Sequence, residues 1–142
     1  MEVITSFNIT SGHDIYNALE RIDREFYVPP QTKFELGHVF DEDKSVRWNR
    51  EEAVRRNQEI ADVKKQAREF RVQSCANLDE AIINYIMTEA DYTHHFTKLE
   101  ALAILRGVRY LHNDEWWHYL DEMIEVAIDL YAAREGVDLK SE

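Results

Sequence analysis

The chain has 142 residues, 44% of them hydrophobic and 32% charged, with a formal net charge of -11; a chain of this length folds as one domain that buries roughly two-thirds of its unfolded surface without staples. The acidity opposes the phosphate backbone of nucleic acids at long range, and the longest apolar runs fall far short of the ~20 residues that span a membrane. A single cysteine, Cys75, and no secretory leader pattern point to a reducing, cytoplasmic location, and four Gly with two Pro leave little room for long loops, so helix should dominate.

In chain order, Val3, Thr5, Phe7 and Ile9 alternate as in a short strand, broken by Ser11-Gly12. Ser11 with Asp14 signals a helix start, and Ile15, Leu19, Ile22 and Phe26 form one apolar stripe on a helix that Pro29-Pro30 ends. Lys33 to Phe40 alternates loosely and pairs most economically with the first strand, giving a small β-α-β segment over 1–43 with Gly37 at a bulge or close backbone approach. Asp41-Glu42-Asp43 reads as a solvated turn, since no cation-loop spacing follows it.

Asn49 and Glu52 have capping-box spacing, with Trp48 as a staple, at the start of a long charged helix within 44–72. Its apolar seam, Ala53, Ile60, Val63, Ala67 and Phe70, is thin and interrupted by Arg56, so the helix calls for a second contact, either in the acidic C-terminal half or in a homodimer through residues 49–71. Ser74 to Asn77 breaks the pattern, and Asn77 with Glu80 repeats the cap spacing ahead of a helix carrying Leu78, Ile82, Tyr85 and Ile86. Thr97 with Glu100 starts a helix to His112 so apolar that it should be the most buried, with Gly107 marking a close crossing. Asn113 or Asp114 caps the last helix, whose stripe is Trp116, Leu120, Met123, Ala127 and Leu130, and Gly136 stops it before a frayed tail at 137–142. The expected architecture is thus mainly α: four to five helices, three of them forming a core over 73–136, with a two-stranded β element near the N-terminus.

Charge is unevenly spread. Residues 1–43 carry net -6, residues 44–71 net +4 and residues 72–142 net -9. On the last helix His118, Glu122, Glu125 and Asp129 step by four, three and four beside the apolar stripe. Trp116 and Trp117 lie beside acids, the wrong neighbourhood for stacking on nucleic acid. His94, His95 and Asp91, with Cys75 and His112, offer acceptable zinc ligand types but no zinc-motif spacing.

Two resemblances bear on function. Glu59-Ile-Ala-Asp62-Val63 resembles the Glu-x-x-Asp step of all-α nucleotide pyrophosphohydrolases, which would put Mg²⁺ on Glu59, Asp62, Glu122 and Glu125, although Lys64-Lys65 depart from that family's pattern. Val39 to Glu52, VFDEDKSVRWNREE, resembles a box in small proteins of phages and prophages of Gram-positive bacteria. That likeness implies a phage accessory protein acting in the host cytoplasm, of a kind that includes anti-CRISPR and other anti-defence proteins. The expectation is a non-enzymatic inhibitor without a cofactor. Its partner surface, Asp114, Glu115, Asp121, Glu122, Glu125 and Asp129, would engage a basic groove of a CRISPR or restriction nuclease; the alternatives are the Mg²⁺-dependent hydrolase or a zinc-containing interaction protein.

Overall fold

The computed structural model describes residues 1–89 and 96–135, and it is mainly helical. Helix α1 spans Gly12–Glu25, α2 Val46–Asn84, α3 Lys98–His112 and α4 Trp116–Glu135. A π-helical turn, Tyr85–Glu89, continues α2, and a 3-10 turn, Asn113–Glu115, joins α3 to α4. Counted as unbroken helical backbone, these make three runs among the described residues, which corrects the expected four to five separate helices.

The long helix accounts for the difference. Ser45, not Asn49, is its N-cap and accepts a hydrogen bond from the Trp48 amide at 3.0 Å. The expected break at Ser74–Asn77 is absent, so α2 runs 39 residues, about 58 Å at 1.5 Å per residue. Its C-terminal half belongs to the core, with Leu78 and Ile82 fully buried against Ile15 and Ile22 of α1, Leu105 of α3 and Leu120 and Ile124 of α4. Its N-terminal half extends past that core as an arm.

No strand forms among the described residues, and the hydrogen bonds explain why. The extended segments 2–9 and 33–41 find partners on side chains of α2 in place of each other. Ser74 Oγ, fully buried, accepts from the Ile4 amide at 2.9 Å, while Asn77 Nδ2 donates to the Ile4 carbonyl at 2.9 Å. Asn57 closes the same two-bond ring on Phe34, accepting from its amide at 2.7 Å and donating to its carbonyl at 2.9 Å. Buried Asn49 accepts from the amides of Phe40 and Asp41 at 2.7 and 3.2 Å and donates to the carbonyls of Asp41 and Ser45 at 3.2 and 3.0 Å. Each satisfied backbone group removes the need for a β ladder. The amides of Asn49 and Asn77 are spent on distant segments rather than on helix starts.

Local signals succeed at two helix starts. Ser11 Oγ accepts from the Asp14 amide at 3.4 Å, and Thr97 with Glu100 forms a complete capping box, with bonds of 3.2 and 2.9 Å. The helix from Lys98 is not the most buried, however: Leu99 and Tyr110 are 77% and 89% exposed, and only Ala101, Leu105 and Val108 reach full burial. On α4 the buried stripe is Trp116, Leu120, Ile124 and Ile128, spaced strictly by four, and Leu130 lies outside it at 67% exposure. A four-residue step drifts slowly round the helix, and both α1 and α3 pack on α4.

The glycines exchange roles. A Cβ on Gly107 would meet nothing within 4 Å, and neither would one on Gly37, so neither marks the close approach expected of it. Gly12 does: a Cβ there would sit 2.5 Å from the Trp117 carbonyl oxygen, so α1 begins against the backbone of α4. The expected stop at Gly136 and the tail at 137–142 lie outside the described residues.

Candidate functional site

The acidic residues chosen from the sequence fall into two groups. Asp114, Glu115, Glu122, Glu125 and Asp129 are exposed along the 3-10 turn and α4. Asp121, half-buried at the edge of that face, accepts a hydrogen bond from the Tyr85 hydroxyl at 2.8 Å, tying α4 to the π turn.

The five exposed acids differ electrostatically from those of α2. On the arm Glu51 pairs with Arg47 at 3.0 Å, Glu59 with Arg55 at 2.5 Å, and Glu52 with both Arg55 and Arg56. Those two guanidiniums hold the Glu52 carboxyl down to about 2. Asp114, Glu115, Glu122, Glu125 and Asp129 have no ion pair with any described residue, and the chain carries no Lys or Arg between Arg109 and Arg134. Arg109, the last base before α4, is engaged elsewhere, paired with Asp79 at 2.6 Å and stacked 4.5 Å over Trp116.

Beside these acids runs an aromatic band that no single stretch of sequence signals, because its rings come from three helices. His13 and Tyr16 of α1 are 6.3 Å apart, Tyr16 and Trp117 of α4 4.9 Å, and Trp117 and His118 5.7 Å. His118 lies 5.2 Å from Tyr119, which stacks on His112 of α3 at 3.9 Å. Trp117, set aside in the sequence for its acidic surroundings, is the centre of this band.

Among the described residues the basic stretch 44–71 makes no ion pair with α3 or α4. Its cation–ring contacts include residues 34–41, where the Arg56 guanidinium sits 4.2 Å over Phe40 and 5.9 Å over Phe34, with His38 4.5 Å from Phe40. Its ion pair to another helix joins Arg71 to Asp23 of α1 at 2.5 Å.

The metal-binding alternatives find no assembled site here. Glu59 and Asp62 sit on the arm, engaged by Arg55 and by the Gln58 amide at 2.8 Å, whereas Glu122 and Glu125 are on α4. Among the described residues no three His, Cys, Asp or Glu side chains come together to hold an ion. His94, His95 and Asp91 lie outside the described residues. Cys75 packs against the core, where burial pushes its thiol above its ordinary range. Among the described residues no helix is long and apolar enough to cross a membrane.

Compared with protein-family models, curated proteins and solved structures, the chain matches none.

Proposed function

We propose that this protein is a non-enzymatic binder that presents the acidic face of α4, Asp114, Glu115, Glu122, Glu125 and Asp129, to the basic surface of a nucleic-acid-handling protein. The supporting observation is a contrast in pairing: Glu51, Glu52 and Glu59 of α2 are paired with neighbouring arginines, while these five are exposed and without an ion pair among the described residues. Successive carboxylates along such a stripe recur about every 5–6 Å, close to the spacing of phosphates along a strand. An acidic helix face of this kind competes for a groove that normally holds nucleic acid. The half-buried Trp117 and Tyr119 alongside leave ring surface that arginine side chains of a partner could contact. The likeness of Val39–Glu52 to the phage box makes a host defence nuclease, of the CRISPR or restriction type, the first partner class to test.

The test is binding of the purified chain to such nucleases, free and loaded with nucleic acid, across a salt series. Binding should weaken steeply with salt, be blocked by the loaded nucleic acid, and fall by orders of magnitude in the triple variant Glu122→Lys, Glu125→Lys, Asp129→Lys. Binding that ignores both salt and the triple reversal would refute the reading.

A further inference from the structure

The arm of α2 has two faces, and only one is covered. Asn49, Asn57 and Arg56 turn toward residues 34–41 and hold them there. The opposite face carries Arg47, Glu51, Val54, Gln58, Asp62, Lys65 and Glu69, at steps of four, three, four, four, three and four, which keep to one side of a helix. Between this face and Leu36 lies a groove of about 700 Å³. Val54 and Leu36, which line it, are 57% and 59% exposed.

Four of the charges on this face are antisymmetric about Gln58, while Asp62, four residues after it, has Val54 as its counterpart. Arg47 lies eleven residues before it and Glu69 eleven after; Glu51 lies seven before and Lys65 seven after. Reversing the helix therefore sets each base opposite an acid, while a parallel pairing sets like on like. Complementarity of a surface to its own reversed copy is the requirement for a two-fold, isologous interface. Lys65 and Glu69 have no ion-pair partner among the described residues, and the Arg47–Glu51 pair is an exposed i,i+4 contact that is easily exchanged.

We infer that a second copy of this chain docks on that face, its α2 arm antiparallel, with the two-fold axis passing at Gln58. The overlap from Arg47 to Glu69 is about 33 Å long. It brings Glu51 against Lys65 of the second copy and Arg47 against Glu69, each twice, and covers Val54 and the groove beside Leu36. This gives the thin-seamed arm the contact it lacks, and it leaves the acidic face of α4 open, so the inference stands whether or not that face binds a nuclease.

The decisive experiment is charge swapping, read by sedimentation over a concentration series, with circular dichroism to show that each variant keeps its helix content. Wild type should dimerise reversibly. Glu51→Lys and Lys65→Glu should each weaken dimerisation about tenfold or more, since each change places two like-charge contacts in one interface. The double variant Glu51→Lys, Lys65→Glu should regain wild-type association, because the swap restores both pairs. In a Cys75→Ala background, Gln58→Cys should cross-link the dimer through a disulfide on the axis, and Val126→Cys should not. A wild type that stays monomeric at the highest concentration, or a double variant no better than the singles, overturns the proposal.

Discussion

Asn49 tests whether the arm is held by side-chain amides. Replacing it with Ala removes the acceptor of the Phe40 and Asp41 amides and the donor to the Asp41 and Ser45 carbonyls. Each stranded group costs about 1–3 kcal/mol when fully buried. These lie in a half-buried setting where water reaches some of them, so the lower end applies and the total is roughly 2–3 kcal/mol. At about 1.4 kcal/mol per factor of ten, local opening of residues 34–45 should rise about 30- to 150-fold. The arm shares little apolar contact with the core, so the loss should stay local. Hydrogen exchange resolved by residue measures this: protection at Phe40 and Asp41 should fall by that factor, while Leu78 to Ile86 should keep theirs. Asn49→Asp, which retains the acceptor, should lose much less. Unchanged protection at Phe40 would refute the pinning role, and an equal loss at Leu78 to Ile86 would show that arm and core unfold as one unit.

The other predictions concern the core and the charged arm. Gly12→Ala should cost about 1–3 kcal/mol in thermal or denaturant unfolding, because its methyl meets the Trp117 carbonyl oxygen; Gly107→Ala, with open space around it, should be neutral or gain up to about 1 kcal/mol in helix propensity. Ile124→Ala should destabilise by about 2–5 kcal/mol, whereas Leu130→Ala should stay within about 0.5 kcal/mol; the reverse order in chemical denaturation would mean that α4 is turned differently. Glu52 has a carboxyl held down by Arg55 and Arg56, so its pairing stabilises the arm above the unfolded value near 4.5 and is lost as pH falls toward about 2. A carboxyl-carbon NMR titration should place its midpoint near the lower value, and Arg56→Gln should raise it.

The sequence alone determines features that depend on near neighbours. The helix starts at Ser11 and Thr97 are written in residues three apart, and the stripe Ile15, Leu19, Ile22, Phe26 identifies the buried side of α1, because capping and amphipathicity are settled within a turn or two. The exposed acids of α4 are legible for the same reason: with no Lys or Arg between Arg109 and Arg134, no i,i+4 partner exists for them. Asn77–Glu80 and Thr97–Glu100 share one spacing, yet only the second is a cap. Thr97 Oγ1 accepts from the Glu100 amide, whereas Asn77 Oδ1 accepts from Gln73 and its Nδ2 donates to the carbonyl of Ile4, 73 residues away, within the unbroken α2.

The tertiary structure likewise decided that two extended segments pair with helix side chains rather than with each other, that Gly12 and not Gly107 is the close crossing, and that Asp121 accepts from the Tyr85 hydroxyl. The first and last depend on which long-range partner meets a polar group, the second on which backbones cross closely, and local spacing carries no record of either.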